Sequence, residues 1–155
     1  VAERTWLIAE DDPVFRSILS SLMTLWDINA VILEDGFQAW TWLDQVEAGE
    51  ITPPYPEAAL LDIRMPGHRG AEIGYRMRQI PALAAIPILI MTAYQLSDAE
   101  KAEIFMDVQP AYLIEKPIPS PDQLREMIED AIARSSPKSE TEPHLKFSPP
   151  IQETR

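Results

Sequence analysis

Glu10, Asp11 and Asp62 offer carboxylates, Thr92 a hydroxyl and Lys116 an ammonium, and each follows a short apolar run. The runs are Trp6-Leu7-Ile8-Ala9 before Glu10-Asp11, Ala58-Ala59-Leu60-Leu61 before Asp62, Pro87-Ile88-Leu89-Ile90-Met91 before Thr92, and Tyr112-Leu113-Ile114 ahead of Lys116. Carboxylates gathered in one place repel and raise each other's pKa unless a cation joins them, and hard oxygen donors suit Mg²⁺. The acidic set therefore predicts a divalent metal. With that charge in place, one oxygen of Asp62 is free to attack phosphorus, while the Thr92 hydroxyl and the Lys116 ammonium can hold the transferred oxygens. Phosphoryl transfer asks mainly for positioning and charge neutralisation, so this small set suffices without a separate general base.

Taken singly, these residues are ordinary. An acidic pair after a strand is usually a solvated loop, a strand-end threonine usually bonds backbone, and a lone lysine is usually a surface charge. The reading rests on their co-occurrence at the ends of successive apolar runs.

Those runs must be strands, because the segments between them repeat apolar residues at helical spacing. Val14, Ile18, Leu22 and Leu25 mark a first helix, entered through Glu10-Asp11-Asp12-Pro13. Ala30–Leu33 reads as a second strand, and Ala39, Trp40, Leu43 and Val46 mark a second helix after Asp35-Gly36. A Pro-rich connection from Thr52 to Pro56 leads to the strand ending at Asp62, followed by a Gly-containing loop and a helix carrying Ile73, Met77 and Ile80. Ser97 with Glu100, and Ser120-Pro121-Asp122-Gln123, carry the spacing of capping boxes at the starts of a fourth and a fifth helix. Strands alternating with helices predict a doubly wound α/β domain, its parallel sheet covered on both faces. Ligands of such sheets bind beyond the C-terminal strand ends, where strand order reverses, and the candidate residues fall at such ends.

The chain has 155 residues, 46% of them hydrophobic, enough for one domain with one shared core. A second catalytic or DNA-binding domain is not expected within it. The formal net charge of −12 disfavours nucleic acid as a partner. The lack of cysteine excludes disulfides and thiolate metal sites, and the two histidines, His68 and His144, are far apart, so zinc is not expected. No signal-peptide pattern or membrane-length apolar run is present, so a cytoplasmic protein without a membrane partner is expected. From Ser135 onward apolar periodicity gives way to Pro137, Pro143, Pro149 and Pro150 among Ser, Thr and Glu. The expected organisation is thus a domain over 1–134 and an irregular Pro-rich tail over 135–155, with docking of the tail as a hypothesis.

Leu7-Ile8-Ala9-Glu10-Asp11-Asp12, Asp62-Ile63-Arg64-Met65-Pro66 with Gly70, Met91-Thr92-Ala93 and Lys116-Pro117 together resemble the response-regulator receiver domain of two-component signalling. The resemblance spans roughly Thr5 to Arg134. It implies a flavodoxin-like sheet of five strands in the order 2-1-3-4-5 with five helices, and phosphorylation at Asp62. Asp11 would bind Mg²⁺ directly, Glu10 through water, and the backbone carbonyl of Arg64 would complete the protein ligands. Thr92 would bond a phosphoryl oxygen, small Ala93 would leave access to it, Lys116 would pair with the phosphate, and the Lys116–Pro117 peptide would be cis. The implied phosphodonor is a histidine kinase or a histidine phosphotransfer protein. Output would pass to a downstream protein effector through the surface around the fourth helix and fifth strand, and a homodimer through that surface is compatible with the resemblance. No nucleotide cofactor is implied, and the chain would catalyse only its own phosphorylation and dephosphorylation.

The sequence departs from this pattern at several positions. Leu113 stands three positions before the lysine, where receivers usually carry an aromatic switch residue. Tyr112 is one residue earlier, and strand alternation sends it to the other face unless a bulge shifts the register. Tyr94, two residues past Thr92, is a substitute switch candidate. Arg69 precedes Gly70 where an acidic or small residue is common. Arg64 and Tyr94 are expected to flank the phosphoryl group and slow its hydrolysis. Two rival readings follow. An aspartyl-phosphate hydrolase needs a second Asp two residues after its nucleophile, where Asp62 is followed by Arg64 and Asp11 by Pro13. A phosphorylation-independent binding module is the other alternative.

Overall fold

The computed structural model describes residues 3–135 of the chain. The expected tail beyond Ser135, and its docking, lie outside the described residues. Five strands, β1 (Thr5–Ala9), β2 (Asn29–Leu33), β3 (Ala58–Asp62), β4 (Ile88–Thr92) and β5 (Tyr112–Glu115), alternate with five helices. The helices are α1 (Pro13–Leu25), α2 (Gly36–Glu47), α3 (Gly70–Gln79), α4 (Asp98–Asp107) and α5 (Pro121–Arg134). All strand pairs are parallel and their order is β2-β1-β3-β4-β5, the flavodoxin-like arrangement expected.

Strand alternation divides the apolar interior into two layers rather than the single core expected from composition. Leu7, Ala9, Ala59, Leu61, Ile88 and Ile90 face one layer, shared with Leu43 of α2, Met77 of α3 and Ile104 of α4. Trp6, Ile8, Ala58, Leu60, Leu89 and Met91 face the other, with Leu19 of α1 and Ile128 of α5. Residues pointing to opposite sides of a pleated strand cannot share one cluster. Central β3 and β4 are therefore apolar on both faces and buried along their whole length, as a parallel sheet covered on both sides requires.

The helix starts follow local chemistry. Ser97 Oγ accepts from Glu100 N while Glu100 Oε1 accepts from Ser97 N, and Ser120 and Gln123 exchange the same two bonds at α5. Asp12 Oδ1 accepts from Val14 N and Phe15 N, and Pro13 occupies the first turn of α1, where its missing N–H costs nothing. Among the described residues no helix is long and apolar enough to cross a membrane.

Candidate functional site

Strand order reverses between β1 and β3, which are neighbours in the sheet although β2 lies between them in sequence. Ala9 pairs with Leu61, so the next residues, Glu10 and Asp62, stand side by side at the strand ends. Glu10 stays in the ladder, its N–H donating to Leu33 O at 3.1 Å. Its carboxylate is then committed on both oxygens: Oε2 accepts from Asp12 N at 3.1 Å and Oε1 from Lys116 Nζ at 3.0 Å. Carboxylate oxygens of Glu10, Asp11 and Asp62 lie within 4.8 Å of one another. Glu10 and Asp62 are buried and Asp11 is half-buried.

Lys116 arrives from the far edge of the sheet. Its N–H donates to Thr92 O, extending the β4–β5 ladder by one residue, and the Lys116–Pro117 peptide is cis, as the resemblance implied. The ammonium lies 3.9 Å from Asp62 Oδ1, farther than from Glu10. Burial pushes the Asp62 carboxyl up from the usual 3.8 to about 7, the Glu10 charge pushes in the same direction, and the Lys116 ammonium offsets part of the rise. Asp62 is thus poorly compensated by the protein alone.

Thr92 is fully buried at the end of β4. Its Oγ1 accepts from Tyr94 N at 3.0 Å and donates to Tyr94 O at 3.4 Å, so the hydroxyl currently ties down the loop that follows. The Tyr94 ring is half-exposed, and the Arg64 guanidinium stacks on it at 4.2 Å. Arg64 leaves β3 two residues past Asp62, and its Nη2 stands 3.9 Å from Glu100 Oε2 in the first turn of α4.

The two β5 candidates separate. The β4–β5 register runs without a bulge from Leu89↔Tyr112 to Thr92↔Glu115. Leu113 packs in the layer of α2, α3 and α4, whereas Tyr112 packs in the layer of α1 and α5. The Tyr112 hydroxyl donates to Asp130 Oδ2 of α5 at 2.7 Å. Tyr112 therefore lies on the face opposite Leu113, as alternation without a bulge dictates.

Sequence reasoning passed over two contributors, Arg16 and Phe15. Arg16 Nη1 donates to the carbonyls of Glu10 at 3.0 Å and Asp11 at 3.4 Å, clamping the acidic loop from the first turns of α1. Phe15 places its ring 4.0 Å from the Lys116 ammonium, a cation–π contact. The available signal was position: both residues fall within one helical turn and a half of the acidic loop. Gly70 belongs to the quoted motif, but its reason is tertiary. A Cβ there would stand 2.1 Å from the carbonyl oxygen of Asp62, and its own N–H donates to Ile63 O at 2.9 Å. Arg69, the departure beside it, donates its backbone N–H to Glu72 Oε1 at the start of α3.

The donor set suits a hard divalent cation. Three carboxylates converge, one is pushed up by burial and by a neighbouring charge, and a single ammonium serves the group. Oxygens on opposite sides of a Mg²⁺ ion lie about 4.2 Å apart, so the 4.8 Å spread closes on such an ion with small side-chain adjustments.

Known proteins resemble this chain in sequence and in fold. The family model described as "Response regulator receiver domain" matches residues 6–129. Response regulator Rcp1 of Synechocystis sp. is 29% identical over 94 residues, covering 59% of this chain and 63% of that protein. The chain thus spans less than two thirds of the length of this relative. A CheY-like receiver domain protein from Methanospirillum hungatei JF-1 superposes with a TM-score of 0.70 at 19% identity, covering 90% of this chain and 99% of the other. The receiver domain of sensor histidine kinase PA1611 from Pseudomonas aeruginosa PAO1, solved with magnesium in its active-site cleft, gives 0.69 at 20% identity, covering 85% and 99%. At such identities these structures establish a common fold.

Proposed function

The chain belongs to the response regulator receiver family, and from that premise we propose that it accepts a phosphoryl group on Asp62 with Mg²⁺ and signals through protein partners. The observation that carries this reading is the convergence of the Glu10, Asp11 and Asp62 carboxylates beside the Lys116 ammonium at the strand-order reversal.

Asp11 and Asp62 would hold the metal with the backbone carbonyl of Arg64, and Glu10 would hold it through water. When bound, Mg²⁺ supplies positive charge that neutralises the carboxylates and the oxygens in transit. The residues of the chain account for the rest. An Asp62 oxygen attacks phosphorus, and its bond to phosphorus forms as the bond from phosphorus to the donor imidazole nitrogen breaks. Lys116 shifts from Glu10 toward the new phosphoryl oxygens, a move shortened by its existing 3.9 Å approach to Asp62. The Thr92 hydroxyl gives up Tyr94 O and donates to the phosphoryl group instead. Arg16 keeps the Glu10 and Asp11 backbone in place throughout, and Gly70 lets the loop after Asp62 fold tightly enough to leave the phosphoryl side open.

The phosphodonor proposed is a histidine kinase or histidine phosphotransfer protein, and the reader a downstream protein effector or a second copy of the chain. The receiver unit proposed covers 1–134, with the tail following. Incubation with acetyl phosphate and Mg²⁺, borohydride trapping and peptide mass spectrometry test the reading. Trapped label on Asp62, absent in Asp62→Asn and absent with a chelator, is expected. An unlabelled wild-type protein would favour the phosphorylation-independent binding module instead.

A further inference from the structure

We propose that Arg64 couples the charge on Asp62 to the start of α4, letting go of Tyr94 and Glu100 when the phosphoryl group appears. The inference rests on the phosphoacceptor reading above and adds the route by which the site is read.

The β4–α4 connection is tied to the site at two points. Thr92 Oγ1 holds the backbone of Tyr94 through both its N–H and its carbonyl. Arg64 holds the same residue by its ring, at 4.2 Å, and reaches Glu100 at 3.9 Å. Glu100 is itself bound to Ser97 N, so the guanidinium is joined to both ends of the segment from Tyr94 to Glu100. The β5 candidates offer no such tie. Leu113 is apolar, and Tyr112 is bonded to Asp130 on the opposite face.

Arg64 is held by contacts that are easily exchanged. Its side chain and that of Glu100 are both well exposed, and 3.9 Å is long for a charge-assisted hydrogen bond. A phosphoryl group on Asp62 places close to two negative charges and three acceptor oxygens two residues away on the same loop. A guanidinium pairs with such oxygens through two parallel N–H bonds, in a less solvated setting than it has at Glu100. Arg64 then leaves Tyr94 and Glu100 while Thr92 leaves Tyr94 O, and both losses fall on one segment. Glu100 still caps Ser97, so α4 keeps its first turn but loses its tie to the β3 loop. The equilibrium of the segment shifts because each released group has a better partner in only one of the two states.

The test follows backbone amide resonances of the full chain on addition of Mg²⁺ with beryllofluoride, a mimic of the phosphoryl group. In the wild type, amides next to Asp62 and amides 94–101 both shift. In Arg64→Gln, which keeps the backbone carbonyl offered to the metal, amides beside Asp62 still respond at saturating mimic while the shifts of 94–101 shrink several-fold, and Arg64→Lys recovers part of them because it keeps a charge. Glu100→Gln moves the 94–101 amides toward their liganded positions before the mimic is added. An undiminished 94–101 response in Arg64→Gln overturns the coupling and leaves the phosphoacceptor reading standing. A wild-type chain with no response beside Asp62 overturns both.

Discussion

Lys116 and Glu10, 106 positions apart in the chain, meet at 3.0 Å with the Glu10 side chain fully buried. The ammonium that pairs with phosphate in the proposed mechanism is therefore stationed on a carboxylate beside the acceptor, not on the acceptor itself. Removing it strands a buried charge. Lys116→Ala is expected to lower the stability of the metal-free protein by about 3 kcal/mol, the usual cost of breaking a buried pair from one side. Added Mg²⁺ should recover part of that loss. Urea unfolding with and without the ion measures both, and an unchanged metal-free midpoint would show that Glu10 is neutralised some other way.

The raised Asp62 carboxyl links stability to pH. Its folded value of about 7 lies above the ordinary 3.8, so between those values the native state binds more protons than the unfolded one. Stability then falls as pH rises, the penalty beginning near 3.8 and complete above about 7. In chelator, wild-type protein should unfold at lower urea at pH 8 than Asp62→Asn does, and the gap should narrow toward pH 5. Because protons and Mg²⁺ compete for the same oxygens, Mg²⁺ affinity should rise over the same interval. Parallel pH profiles for wild type and Asp62→Asn would refute the assignment.

Gly70→Ala tests why the loop after Asp62 needs a glycine. The added methyl would stand 2.1 Å from Asp62 O and 3.1 Å from Ile63 Cα, both rigid backbone atoms. Displacing them should cost about 2 kcal/mol and slow labelling by acetyl phosphate, since the acceptor carboxylate moves with its backbone. A variant of wild-type stability that labels at the wild-type rate would mean that the loop relaxes freely.

The Arg64 guanidinium stacks on the Tyr94 ring at 4.2 Å before phosphorylation, and both side chains are expected to flank the phosphoryl group. Water that hydrolyses the acyl phosphate would then have to pass these two side chains. Arg64→Ala and Tyr94→Ala should each shorten the phosphorylated lifetime several-fold, and, since the two no longer touch once Arg64 has moved to the phosphoryl group, the double variant should show the product of the two effects. Decay of trapped label after removal of donor gives the lifetimes. Equal decay in all four proteins would leave both side chains without a protective role.

Much of this molecule was legible in its residues because the relevant signals are local. Continuous apolar runs, with helical spacing of apolar residues between them, specify alternating strands and helices. Ser97 with Glu100, and Ser120 with Gln123, mark helix starts through bonds spanning three residues, and both boxes are present in the structure. The acidic, hydroxyl and ammonium groups could be placed at strand ends for the same reason. Even the separation of Leu113 from Tyr112 follows from strand alternation once the register is known to run unbroken.

Which side chain pairs with which was decided only by tertiary structure. The preference of Lys116 for Glu10 over Asp62, the Arg16 clamp on the acidic loop, the Phe15 ring beside the ammonium and the approach of Gly70 to the Asp62 carbonyl depend on sheet order, crossover and helix seating. Composition suggested one core, yet a sheet covered on both faces has two, since alternate side chains of a strand point in opposite directions. Period and capping are properties of a few consecutive residues, whereas a contact between β5 and β1 exists only after the strands between them have taken their places.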